Sequence, residues 1–199
     1  MEKSFLLILF YSASGSVKNL AHAIADGAED ENLNVRLRTV PKISPQNKKV
    51  DPEIPNSGEI YCSKEDLIDC AGLAIGSPTR FGSMAAAPLK YFLDSTGDLW
   101  STNALEDKPG IAFTSTGSMH GGQEMTLFNL HTFMLHHGML ICGAPYSFEE
   151  LNKTKSGGTP YGASHVESFN SSNELSRDEY EIAKKSGNRL AKLINKINV

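Results

Sequence analysis

Short apolar runs alternate along the chain with longer stretches in which apolar positions recur at helical spacing. The runs at 6–11, 35–40, 73–75, 110–114 and 139–142 predict strands, and the stretches 18–30, 85–95, 124–137 and 177–196 predict helices. Leu20, Ala21, Ile24, Ala25 and Ala28 mark one face of the first helix, and Ser176 with Glu179 predicts a capping box for the last. Regular alternation of strand and helix predicts parallel pairing and an α/β sandwich with helices on both faces.

Three segments break the rhythm. Residues 41–60 are polar and carry Pro41, Pro45, Pro52 and Pro55; residues 96–108 form a loop bearing Trp100; residues 145–172 make an irregular excursion that contains Gly157-Gly158-Thr159-Pro160-Tyr161-Gly162. Loops of this length in a compact domain are usually functional or disordered. Five strands so arranged predict a flavodoxin-like three-layer sandwich with a five-stranded parallel sheet, order 2-1-3-4-5, and extra loops. Its ligand crevice then lies at the carboxyl ends of the strands.

The residues at those ends are rich in Ser, Thr and Gly. The first strand runs into Ser12-Ala13-Ser14-Gly15-Ser16-Val17 and then directly into the first helix. Converging N–H groups, the helix dipole and Ser hydroxyls together suit a phosphate. The loop has neither the Gly-x-Gly-x-x-Gly dinucleotide pattern nor a Walker A lysine, so a mononucleotide such as FMN fits better than NAD or ATP. The third strand leads into Gly76-Ser77-Pro78-Thr79-Arg80-Phe81-Gly82, which offers donors and an apolar lid to a planar ring. The fourth leads into Thr114-Ser115-Thr116-Gly117-Ser118-Met119-His120-Gly121-Gly122. Helix capping accounts equally for any one of these loops; three at successive strand ends point to one shared ligand.

Composition narrows the function classes. A length of 199 residues suits one domain, and a net charge of −4 argues against nucleic-acid binding. No apolar run has the length of a membrane span. Lys3 and the following apolar run imitate a signal peptide, but Glu2 spoils its basic start and cleavage would remove a core strand, so a cytoplasmic protein is expected. Cys62, Cys70 and Cys142 are odd in number and form no Cys-x-x-Cys, which suits buried apolar positions. His136 and His137 end the helix expected over 124–137, where a cation satisfies the helix dipole; with His120 and His131 they form no recognisable metal spacing.

Taken in order, Gly76-Ser77-Pro78-Thr79-Arg80-Phe81-Gly82, Phe92-Leu93-Asp94 with Leu99-Trp100, Ser115-Thr116-Gly117 with Gly121-Gly122-Gln123-Glu124, His136-His137-Gly138-Met139 and Gly157-Gly158-Thr159-Pro160-Tyr161-Gly162-Ala163 resemble the WrbA family of flavodoxin-like NAD(P)H:quinone oxidoreductases. The resemblance spans 1–199 and implies a single FMN-binding domain. It implies that Ser12, Ala13, Ser14, Gly15, Ser16 and Val17 wrap the FMN phosphate, that Pro78, Thr79, Arg80 and Phe81 line the ring, and that Ser115, Thr116, Gly117, Ser118, Gly121 and Gly122 meet its pyrimidine edge. His136 is implied to reach the flavin from a neighbouring subunit and to polarise or protonate the quinone oxygen, and Trp100 to form the wall of the substrate site. A homotetramer is implied, with a dimer as the smaller possibility. Many members carry an aromatic residue at the position of Ser14, where it supports the nicotinamide; this chain departs from that pattern.

The function expected is therefore two-electron reduction of quinones by NADH or NADPH in ping-pong fashion, one aromatic site being used twice. The competing readings are a one-electron carrier of flavodoxin type and a flavin-binding interaction protein without significant turnover. A phospho-acceptor domain of the same topology is a weaker competitor, because the first strand lacks the closing acidic pair.

Overall fold

Strand β1 (Phe5–Phe10) is buried along its whole length, and its side chains divide between the two faces of one sheet. Leu6, Ile8 and Phe10 enter one apolar cluster; Phe5, Leu7 and Leu9 enter the other. Such a near-continuous apolar run is what a parallel strand covered on both faces requires. The computed structural model describes residues 4–43, 58–84, 87–167 and 173–197. Pro45, Pro52 and Pro55 of the long connection lie outside them.

After β1 come α1 (Ser16–Glu29), β2 (Asn34–Arg38), α2 (Lys64–Asp69), β3 (Gly72–Arg80), β4 (Ser83–Met84), α3 (Ala87–Asp94) and α4 (Gly97–Ser101). Then follow β5 (Pro109–Thr116), α5 (Gln123–His136), β6 (Leu140–Ile141), a 3-10 turn (Glu149–Asn152), β7 (Ala163–Val166) and α6 (Arg177–Ile197). The sheet order is β2-β1-β3-β5-β6, with all four pairings parallel. This is the 2-1-3-4-5 arrangement with one modification. The fifth position is shared: β6 pairs with the start of β5 at Pro109 and Gly110, and β7 pairs with its end from Phe113 to Thr116. The excursion expected after residue 145 is thus an insertion inside a broken edge strand.

Helices α1 and α6 cover the face reached by Ile8, Ile111 and Phe113, through Leu20, Ile24, Ile182, Leu190 and Ile194. Helices α2 to α5 cover the other, through Leu67, Leu89, Leu99, Leu127 and Met134. The two helices of the first face touch backbone to backbone. A Cβ at Gly27 would lie 1.8 Å from the Lys184 carbonyl oxygen, and one at Gly187 would lie 2.0 Å from that of Ile24. Only glycine permits that approach at either position.

Three sequence expectations need correction. Trp100 lies on the short helix α4 rather than in a loop, Leu99 anchoring that turn in the core. Strand β3 continues through Pro78 to Arg80: Pro78 pairs in register with Ser115, its missing N–H costing nothing at the end of the β5 ladder, and Thr79 and Arg80 pair antiparallel with Met84 and Ser83 of β4. Helix α2 was not foreseen; six residues cannot show a period, yet Ser63 and Asp66 form a reciprocal capping box there.

Candidate active site

The first rim segment turns on Gly15, whose φ of 108° lies in the left-handed region and which caps α1 without a side chain. Ser12 supplies the missing acceptor: its Oγ takes the N–H of Gly15 at 3.1 Å and that of Lys18 at 3.3 Å. The hydroxyls of Ser14 and Ser16 remain to face a ligand. Both are directed at one carboxylate: Ser14 Oγ donates to Glu167 Oε2 at 3.2 Å, and Ser16 Oγ lies 3.5 Å from the same atom. Asn173 closes the arrangement, accepting from Ser16 Oγ at 3.4 Å and donating to the Ser14 carbonyl. Val17 is buried in the core and serves packing. Ala13 is exposed beside the turn.

The second and third rim segments touch each other. Gly122 caps α5 with φ 93°, and a Cβ there would lie 2.5 Å from Gly82 Cα. Thr126 Oγ1 is 2.8 Å from Thr79 Oγ1 and 3.3 Å from the Ser83 carbonyl, so α5 holds the end of β3. Arg80 is exposed, its Nη1 on the Thr79 carbonyl at 3.0 Å, and Phe81 is fully exposed with a left-handed φ of 53°. Pro78, Ser115 and Thr116 are buried at the strand ends. Thr116 Oγ1 donates to the Ser118 carbonyl at 2.9 Å, and Gly121 N donates to the same oxygen at 3.0 Å. Gly117 borders open space. The first segment joins this pair through β7: Glu167 N donates to the Thr116 carbonyl at 2.7 Å while its side chain reaches Ser14 and Ser16. All three segments therefore meet at the carboxyl end of one sheet. A cleft of about 520 Å³ opens beside them, between Met119, His120, Phe128, Ser156 and Thr159.

His136 and Trp100 are elsewhere in the protomer. Helix α5 starts at the rim and runs antiparallel to β5 for 14 residues, roughly 20 Å of helix. His136 at its end lies beside the start of the strands. It is exposed there, and it lines a cleft of about 580 Å³ together with Trp100, Lys90, Asp94, Phe133 and His137. His137 stacks on Phe133 with ring centroids 4.5 Å apart. Burial, reinforced by the charge of His136, pushes His137 below the ordinary imidazole value, and burial does the same to His131.

Two acidic residues and a histidine at the site were not foreseen. Glu179, expected only as a capping partner, is buried and fully satisfied. Its Oε1 accepts from Gly157 N at 2.8 Å and Val166 N at 3.1 Å; its Oε2 accepts from Ser176 N at 2.8 Å and meets His165 Nδ1 at 2.9 Å. Burial works to raise its carboxyl, but the bonds from His165, Ser176 and Val166 outweigh this and hold it at about 2. His165 is 2% exposed, and its Nε2 has no partner among the described residues. The signal for Glu167 was its place directly after a strand end, and that strand was hidden in the excursion.

The chemistry of the first segment suits an anion, and a carboxylate already stands where a phosphate would be held. FMN fits this donor set on the condition that Glu167 withdraws. Among the described residues no Lys or Arg pairs with Glu167, and Lys18 Nζ is engaged with Glu59 at 2.6 Å.

The fold and this rim define a flavodoxin-like α/β protein. It is similar to a WrbA-like flavodoxin from Agrobacterium tumefaciens (20% identity, 98% of this chain and 99% of that chain covered, TM-score 0.68). It is similar also to a flavodoxin from the domain Archaea (19%, 96% and 98%, TM-score 0.63) and to flavodoxin 2 from Bacillus cereus (13%, 98% and 99%, TM-score 0.60). Residues 7–151 match the family described as NADPH-dependent FMN reductase. The chain belongs to that family of oxidoreductase flavoproteins.

Proposed function

We propose that the chain is an FMN-dependent NAD(P)H:quinone oxidoreductase, which takes NADH or NADPH and then a quinone at one face of the flavin. The observation that carries this reading is the junction of three rim segments, through the Gly82–Gly122 contact and through Glu167. FMN, when bound, supplies the hydride chemistry, and the protein supplies binding and orientation. Ser14 and Ser16 donate to its phosphate at the N-terminus of α1. Thr79, fixed by Thr126, positions Arg80 and Phe81 beside the ring. Ser115, Thr116, Gly117, Ser118, Gly121 and Gly122 offer backbone to its polar edge, because the Ser115 and Thr116 side chains are buried.

His136 and Trp100 enter this chemistry from another subunit of a homotetramer or dimer. What supports that assembly is a stripe on α5: Met125, Phe128 and Leu135 fall three and seven residues apart and are 59%, 46% and 62% exposed. Trp100 and Tyr91 extend the exposed apolar surface. Such a surface suits a second copy of the chain. Among the described residues no helix is long and apolar enough to cross a membrane.

The test is to load the protein with FMN, remove the excess and follow NADH and NADPH oxidation anaerobically with 1,4-benzoquinone. Retained FMN and one nicotinamide consumed per quinone are expected. Retained FMN without turnover leaves the interaction protein. The one-electron carrier keeps one observation in its favour, the full exposure of Phe81 at the rim.

A further inference from the structure

The carboxylate in the phosphate cradle has a consequence of its own. Glu167 Oε2 stands within reach of both hydroxyls that a flavin phosphate needs, and its backbone is pinned to the Thr116 carbonyl. A phosphate entering the cradle must lie close to a like charge in a half-buried position, where such repulsion is only partly screened. No neighbouring cation among the described residues offsets it. Lys18, in the first turn of α1, is paired with Glu59, itself held below the ordinary carboxyl value: burial raises it, and the Lys18 bond, a backbone bond and the charges of Lys18 and His22 together outweigh that effect.

We propose that Glu167 is an internal competitor for the flavin phosphate, occupying the Ser14–Ser16 cradle of the flavin-free protein and so setting how strongly the site prefers FMN to riboflavin. The proposal rests on the flavin reading above. Riboflavin shares the ring and lacks the phosphate, so it enters without displacing Glu167 and without meeting its charge. FMN has to turn the carboxylate out of the hydroxyl pair, and Asn173 with it, since Asn173 accepts from the same Ser16 hydroxyl. Glu167→Gln keeps the shape and removes the charge; Glu167→Ala removes the group.

The experiment titrates flavin-free protein with FMN and, separately, with riboflavin, following quenching of flavin fluorescence, for the native chain, E167Q and E167A. Thermal melts check that each variant is folded, and riboflavin affinity reports the ring site independently of the phosphate. Both variants are expected to bind FMN at least tenfold more tightly than the native chain, with riboflavin affinity changed less than twofold. FMN affinity equal in all three, or weaker in E167Q, overturns the role of Glu167 and leaves the flavin reading intact. Failure of every variant to bind either flavin overturns both.

Discussion

His165 Nδ1 and Glu179 Oε2 lie 2.9 Å apart, both residues 2% exposed, and this pair ties strand β7 to the first turn of α6. Glu179 is thereby the point at which the inserted segment, the broken edge strand and the last helix are joined. Glu179→Gln removes a charged acceptor from three backbone N–H groups. A loss of about 2–4 kcal/mol is expected, measured by urea denaturation at neutral pH.

The same carboxyl carries a pH signature. Its value falls from 4.5 to about 2 on folding, so between those limits the unfolded chain binds the additional proton. Its contribution, on the order of 3 kcal/mol, is complete above the unfolded value and is lost as pH falls through the interval. The stability gap between the native chain and E179Q is therefore expected to narrow between pH 4.5 and pH 2. A gap that stays constant over this range refutes the assignment.

Gly122→Ala places a methyl 2.5 Å from Gly82 Cα in a left-handed backbone. The two rim segments must separate, at about 1–3 kcal/mol. FMN affinity is expected to drop about tenfold while the sheet stays folded, as read from flavin titration beside far-UV circular dichroism.

His136→Ala is expected to lower quinone turnover by about a hundredfold, as removal of a positioned proton donor does, with FMN retention unaltered. Steady-state kinetics with several quinones check this; unchanged rates remove His136 from the mechanism.

Charging the α5 stripe separates assembly from folding. Met125→Glu with Leu135→Glu is expected to shift sedimentation to the monomer and to abolish quinone turnover in a chain that still melts cooperatively. A monomeric variant with full turnover rules out a site shared between subunits.

The cysteines are expected to be inert. Burial pushes Cys70 up to about 11, and it raises Cys62 and Cys142 as well. Iodoacetamide at pH 8 should therefore label the native protein far more slowly than the urea-unfolded chain, with activity preserved throughout.

What the sequence disclosed depended on signal length. The apolar run of β1, the Ser-rich turn and the periodicity of α1 and α6 were each long enough to show, as was the Ser176–Glu179 capping box, now seen as a reciprocal pair. Strand β7 was not legible: Ala163-Ser164-His165-Val166 has one strongly apolar residue, and it is a strand only because β5 lies beside it. With β7 hidden, nothing marked Glu167 as a neighbour of Ser14, 153 positions earlier. Ser77-Pro78-Thr79-Arg80 reads as a turn, and pairing with β5 at its first two residues and with β4 at its last two makes it strand. Trp100 and His136 share one cleft through the packing of α4 beside α5, a tertiary relation that no local pattern encodes.

The broken fifth strand also bears on solubility. An uninterrupted outer strand would present a long row of unpaired amides to any other extended chain, the template from which intermolecular sheets grow. Here that row is two residues at one end and four at the other, separated by the insertion. The opposite border is Asn34-Val35-Arg36-Leu37-Arg38, whose two guanidinium groups are both drawn to Asp66. The broken border is thus protected against runaway edge-to-edge growth by its discontinuity.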